Sequence, residues 1–390
     1  MIDYSGEVIS MRRYAPVFLV LTLTFMFTPP SWAERDLFFA KIWDKALPRL
    51  EKSLEVFDRS KTLPDSSFFG EDKQSNRKKY EDLLDSVFTI LIGSELHNAR
   101  QEYNFLDMKI DQAGDEIEFL LKNRIIAPEK SWNPLKKTRG KIDEKIADLR
   151  EEIKSLTARK EELRAAISAA LAELGVDAGE GRLDILLSSV SGDDVMHLMM
   201  AADSIKKINM QIVKLVEEGQ GTVQAARKYT GIHMILTDLY LYANLNVLDR
   251  IGREYIPRLE EIIKTARKLG AEARQMLAAT GRDEKNRQIL EANMAANDRT
   301  VKTAELYRQY LRGQENALRR ASEKLKRDYF VAKNTYDTVK TGTDLISLIQ
   351  ISMTTLDGIF GFVVPDLSLA YDRELMKEFE RITGQIKSGK

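Results

Sequence analysis

Apolar residues recur along most of the chain at steps of three and four, the spacing that places them on one face of an α-helix. Two such stretches run over 35–60 and from Tyr80 to about Arg124. Between them, 61–78 is polar and contains proline and glycine, so it predicts a loop. No segment shows the convincing two-residue alternation of a strand. The pattern therefore predicts an all-α protein.

The most regular pattern lies within 136–175. Its apolar positions alternate steps of four and three over about five heptads, and dense Glu, Lys and Arg residues flank them. Lys160 is the one lysine within this series. The pattern predicts a coiled-coil helix whose seam contains Ile142, Ile146, Leu149, Ile153, Leu156, Leu163, Ile167, Ala170 and Leu174.

Several features divide the following region, 176–340, into further long helices. The sequence Ser191-Gly192-Asp193-Asp194 predicts a helix start, because Ser or Asp can cap free amide groups and acidic residues suit the positive helix terminus. Pro257 predicts a start or a kink. The polar stretch 281–300 predicts a separation from the apolar series that begins at Val301.

Long helices joined by short breaks predict an elongated antiparallel bundle with coiled-coil segments. We divide it into an N-terminal helical region (34–135), the coiled coil (136–175), a long-helix bundle (176–340) and C-terminal amphipathic helices that close the bundle (341–390).

The first residues, 1–33, have the pattern of a secretory signal peptide. Arg12 and Arg13 precede an apolar run over 17–27, and small residues then predict cleavage after Ala33. The apolar run is shorter than the roughly 20 residues that span a bilayer. The pattern therefore predicts an exported protein, periplasmic or secreted.

Composition narrows the classes of function. The 390 residues include 60 basic and 60 acidic side chains and no cysteine. Zero net charge provides no overall attraction for nucleic acid. The lack of cysteine excludes disulfides, thiol catalysis and cysteine-based metal centres.

An apolar segment over 345–364 is the main candidate for contact with a membrane or a partner. Asp344 and Asp357 bracket only twelve uncharged residues, so it is not a resting transmembrane span. Two interpretations stay open: a helix buried against the bundle, or a concealed segment that emerges to meet a membrane or another protein. Its contact residues would be Leu345, Ile349, Met353, Leu356 and Phe360.

A methionine-rich helix is the candidate metal site. Met196, His197, Met199 and Met200 offer the thioether and imidazole ligands that Cu(I) prefers. Apolar neighbours favour the alternative that these methionines fill a helical core.

A second cluster combines polar-tipped aromatic residues with a histidine: Tyr229, His233, Tyr240 and Tyr242. These residues can line a ligand pocket or form a buried hydrogen-bond network, and we favour the network.

The sequence contains no recognisable catalytic or nucleotide-binding motif, so it predicts neither an enzyme nor a cofactor. We expect an exported structural or adaptor protein of the cell envelope. Its helix faces would bind other proteins, with self-association a further possibility. The alternatives are a membrane-acting protein that exposes 345–364 and a binder of a small ligand or copper within the bundle.

Overall fold

The computed structural model describes residues 32–68, 70–93, 95–129, 138–174, 179–218, 223–279, 284–339 and 372–388. Contacts divide the chain into two units, Met1–Phe38 and Phe39–Lys390. The first unit is described only at 32–38, which are helical. All the side-chain packing that the structure describes lies within the second unit.

Every regular element in the described residues is helical, which confirms the predicted all-α class. A five-residue π-helical turn, Ile251–Tyr255, joins two of the α-helices without a loop. The α-helices are α1 (Trp32–Ser60), α2 (Lys73–Leu91), α3 (Glu95–Ile126), α4 (Arg139–Glu173), α5 (Glu180–Ser188), α6 (Gly192–Glu218), α7 (Val223–Arg250), α8 (Ile256–Ala279), α9 (Glu284–Val339) and α10 (Arg373–Ser388).

The stretch from Tyr80 to Arg124, predicted as one helix, is two helices. Gly93 has φ 69°, a left-handed conformation that other residues adopt at a cost, and it separates α2 from α3. Helix α2 also begins earlier than predicted, at Lys73, so the last part of the predicted loop 61–78 is helical. Asp72 caps it, accepting the Ser75 amide at 2.8 Å, while the Ser75 hydroxyl accepts the Asp72 amide.

Helix α9 packs against both α7 and α8, which follow one another through the π-helical turn. Buried leucines recur along α9 at seven-residue steps, at Leu311, Leu318 and Leu325. The polar stretch 281–300 was predicted to separate helices, yet residues from Glu284 onward belong to α9. Glutamate, lysine, arginine and alanine form helix well without an apolar majority, which explains the difference.

Helices α3 and α4 pack against each other in antiparallel orientation. Glu102, early in α3, pairs with Arg159, late in α4, at 2.9 Å. Arg124, late in α3, pairs with Asp143, early in α4, so the two helices run in opposite directions. A small apolar cluster fills the interface away from the main core: Ala113, Leu120, Ala127, Ile142, Ile146 and Leu149.

Lys160, the one lysine in the predicted seam of α4, has two partners on α3. Its Nζ bonds to the Asp107 carboxylate and lies 4.8 Å from the centre of the Tyr103 ring. Burial alone would lower the pKa of Lys160, but Asp107 and Tyr103 raise it above the usual value. Lys160 therefore keeps its charge among the apolar residues of the α4 seam.

Two sequence predictions concern parts of the chain outside the described residues. The signal peptide falls mostly in 1–31, and the apolar segment 345–364, with Leu345, Ile349, Met353, Leu356 and Phe360, falls in 340–371. Across the helices that the structure does describe, none combines the length and the apolar character that crossing a membrane requires.

Candidate functional site

A group of interacting charged and polar side chains surrounds the start of α6. Gly192 begins this helix as predicted, and Asp193 and Asp194 occupy its first turn, where the helix dipole favours negative charge. His197 lies one turn further along and on the same side as Asp193. Around them, α3, α7, the π-helical turn and α10 contribute charged partners.

Asp193 pairs with a buried arginine from α3. The Arg100 side chain is 3% exposed, and its Nε donates to the Asp193 carboxylate at 2.7 Å. Its Nη2 also donates to the Leu187 carbonyl. Burial alone would raise the pKa of Asp193, but Arg100 and Lys387 on α10 lower it. The carboxylate therefore stays ionised and balances the buried guanidinium.

Asp194 has a different set of partners. Arg250 at the end of α7 lies 2.7 Å from its carboxylate, and the Tyr255 hydroxyl donates to it at 2.9 Å. Burial raises the pKa of Asp194 in spite of these two partners. The two consecutive aspartates therefore join α6 to opposite neighbours: α3 through Asp193, and the junction of α7 and α8 through Asp194.

Two of the three histidines of the chain meet next to these carboxylates. Nδ1 of His97 on α3 lies 3.0 Å from Nε2 of His197 on α6, and the ring centroids are 5.1 Å apart. The Gln101 side-chain amide donates to Nε2 of His97 at 2.8 Å. This arrangement fits the neutral His97 tautomer in which Nδ1–H donates the hydrogen bond to Nε2 of His197. Burial, and then His97, lowers the pKa of His197.

A cleft of about 430 Å³ opens beside this cluster. Acidic, basic and aromatic side chains share its walls, so its charge is mixed rather than of one sign. The lining residues are Val190, Asp193, Asp194, His197, Arg250, Glu254, Tyr255, Ile386 and Lys387.

The predicted copper ligands lie in two different surroundings: the methionines are buried, and His197 faces another histidine. Met196, Met199 and Met200 are buried, and the first two belong to the main apolar core. His197 instead contacts His97, a partner that the sequence analysis missed. Copper binding by the methionines stays a prediction. Among the residues that the structure describes, no three histidine, aspartate or glutamate side chains converge closely enough to hold a metal ion.

The tyrosines and the histidine of the second predicted cluster, Tyr229, His233, Tyr240 and Tyr242, contact different parts of the protein. His233 Nδ1 donates to the side-chain oxygen Oδ1 of Asn209 on α6 at 3.1 Å, and the Tyr242 hydroxyl donates to the Asp85 carboxylate on α2 at 3.4 Å. Tyr240 is buried, and Tyr229 packs at the edge of the main core. These contacts place the members on different sides of α7, which agrees better with hydrogen bonding to neighbours than with one shared pocket.

The folded chain is thus an all-α protein with a polar cluster and cleft at the start of α6. It matches no protein-family model, and no match was found among curated proteins or solved structures.

Proposed function

We propose that the chain is an exported adaptor protein of the cell envelope that binds a helix of another protein along the outer side of α3. One observation carries this proposal. Six large apolar side chains are exposed on this helix, and Leu121 and Ile125 lie apart from the other four. Those four share one side, and they are Phe105, Met108, Phe119 and Ile126, which are 52%, 47%, 61% and 82% exposed. We call these four residues the outer stripe.

The outer stripe has the spacing of a helix-binding seam. Phe105, Phe119 and Ile126 are separated by multiples of seven residues, and Met108 follows Phe105 by three. At 3.6 residues per turn they share one side of α3 over roughly 30 Å. Leu106 and Leu120, which are buried, lie on the other side. Single exposed apolar residues need no explanation, but four in this register match the contacts of a partner helix.

The acidic residues of α3 indicate which charge the partner helix should carry. Between Lys109 and Lys122, α3 carries Asp111, Asp115, Glu116 and Glu118. Lys122 already pairs with Glu118 at 2.6 Å. An amphipathic helix with basic flanks would therefore complement the outer stripe, whereas a second copy of α3 would place acid against acid.

A pair of peptides tests this preference. Both would be helical with leucine at heptad positions, one with lysine and arginine flanks and the other with glutamate flanks. We expect the basic peptide to bind, more weakly as salt is raised, and the acidic peptide to bind at least tenfold less tightly. Fluorescence anisotropy with labelled peptide measures both affinities.

Matched variants locate the contact. Phe119→Ser with Ile126→Ser should abolish binding of the basic peptide. Phe330→Ser with Val331→Ser, which removes exposed apolar residues from α9 instead, should leave binding unchanged. Equal binding of both peptides, or equal loss in both double variants, would refute the partner chemistry. A dimer detected by light scattering and dissolved by the α3 variant would assign the outer stripe to self-association.

Export and shape belong to the same proposal. Fractionation should place the mature protein outside the cytoplasm with Glu34 as its first residue. Small-angle scattering should report the elongated particle expected of an antiparallel bundle with coiled-coil pairing of α3 and α4. A cytoplasmic protein that retains 1–33 would contradict the first expectation, and a compact particle the second.

A further inference from the structure

We infer that His97 and His197 form a binding site for a divalent transition metal ion of the zinc type, in which Nδ1 of His97 and Nε2 of His197 are the two protein ligands and water completes the coordination. This site is distinct from the methionine site predicted from sequence, and it does not depend on the proposed adaptor function.

The placement of the histidines supports the site. They are 100 residues apart in sequence, yet two ring nitrogens face each other at 3.0 Å across the α3–α6 contact. Zinc–nitrogen bonds of about 2.0–2.1 Å at a tetrahedral angle place two ligand nitrogens about 3.3 Å apart. To admit the ion, the two nitrogens would separate by a few tenths of an ångström, and both rings would turn so that their lone pairs converge on it.

The surroundings of the two histidines provide a hydrogen-bond partner for His97, access for water and carboxylates that balance nearby cations. Gln101 already bonds to Nε2 of His97. When Nδ1 binds metal the ring proton lies on Nε2, and a flip of the Gln101 amide would let its oxygen accept a hydrogen bond from that N–H group. His197 lines the cleft, which supplies water for the remaining positions. Two nearby cations, Arg100 and Lys387, lie against the Asp193 carboxylate. A third, Arg250, pairs with Asp194, so the two carboxylates offset part of the repulsion of the ion.

The competing explanation is a hydrogen bond between two neutral imidazoles that serves only to join α3 to α6. Metal titration separates the two. Chelator-treated, untagged protein that starts at Glu34 would be titrated with Zn²⁺ by calorimetry and with Co²⁺ by visible absorption. We expect one saturable site, with affinity reduced at least tenfold by His97→Ala or by His197→Ala, and no further in the double variant.

Two controls belong to the same titrations. His233→Asn changes the remaining histidine, which lies elsewhere, and should leave the affinity unchanged. Met199→Leu with Met200→Leu should also leave it unchanged. If those methionine substitutions abolish binding of copper or zinc while His97→Ala does not, the thioether site is the correct one and the imidazole site is wrong.

A measurement on the unaltered protein guards against variants that fail to fold. The chain has three histidines, so the long-range nitrogen–proton NMR spectrum of their side chains contains three imidazole spin systems. Zn²⁺ at one equivalent should shift Nδ1 of His97 and Nε2 of His197 and leave His233 in place. Absence of saturable binding, or shifts confined to other residues, would overturn the site.

Discussion

The ring of Phe379 on α10 lies 3.9 Å, centroid to centroid, from the ring of Tyr307 on α9. Both side chains are fully buried, and the Tyr307 hydroxyl also accepts the Val190 amide at 2.6 Å and bonds to Thr383 on α10 at 2.9 Å. This contact attaches the last described helix to the core and holds its far end, with Lys387, beside the cleft.

Phe379→Ala should therefore release α10. Truncating a buried phenylalanine costs about 3–5 kcal/mol of unfolding free energy, and urea unfolding measures the change. Hydrogen exchange should also accelerate in the α10 amides before those of α7 and α9. Lys377→Ala, on the exposed side of the same helix, should change stability by less than about 0.5 kcal/mol. Equal effects of the two substitutions would contradict this role for Phe379.

Glycine substitutions should have opposite effects at two helical positions. A Cβ atom on Gly192 would lie 1.9 Å from the Leu186 carbonyl oxygen, so Gly192→Ala must displace the junction of α5 and α6. We expect a loss of about 1–3 kcal/mol. Gly114 has open space around it, so Gly114→Ala should stabilise α3 by about 0.5–1 kcal/mol.

Thermal and urea unfolding of both glycine variants compare them directly. Gly192→Ala should lower the midpoint and Gly114→Ala should raise it. A neutral Gly192→Ala would mean that α6 can begin elsewhere without loss, contrary to the close approach of the two backbone segments.

His233 should make folding stability depend on pH. Its ring is buried, Nδ1 donates to Asn209, and burial lowers the pKa of the imidazole from 6.5 to about 4. Between these values the unfolded chain binds the extra proton and the folded chain does not. The stabilisation is thus complete above about pH 6.5 and is lost as the pH falls toward 4, by about 3 kcal/mol in total.

The measurement is the free energy of unfolding of the natural chain and of His233→Asn between pH 4 and 7.5. Asparagine keeps a donor for Asn209 but does not titrate, so the variant should show a shallower pH dependence. Other groups, Asp194 among them, contribute equally to both curves. Two parallel curves would show that His233 has no part in the dependence.

The spacing of apolar residues predicted the helices well. The contacts that it could not predict join residues that are far apart in the sequence. The series from Ile142 to Ile167 is buried or half-buried on α4 because its four–three spacing is a property of one helix. Lys160 fits there because the Asp107 carboxylate on α3 accepts a hydrogen bond from its ammonium group and balances its charge. No periodicity relates His97 to His197, since their contact depends on how α3 meets α6. The sequence pattern thus pointed to His197, as a candidate copper ligand, but not to His97, and whether His197 binds a metal stays a prediction.

Arg100 and Asp193 allow a quantitative test of the polar cluster. Asp193→Asn would leave a buried guanidinium without its counter-charge, with the Leu187 carbonyl as a remaining acceptor. Breaking a buried ion pair in this way costs roughly 3–5 kcal/mol, and we expect the lower end because the carboxylate is partly exposed.

The second substitution completes a double-mutant cycle. Arg100→Met keeps most of the buried volume and removes the charge, so Arg100→Met with Asp193→Asn should be more stable than Asp193→Asn alone. Unfolding free energies of the four proteins give the coupling energy, expected above about 1 kcal/mol. Additive effects would mean that the guanidinium is stabilised by other neighbours, and that the pair does not join α3 to α6.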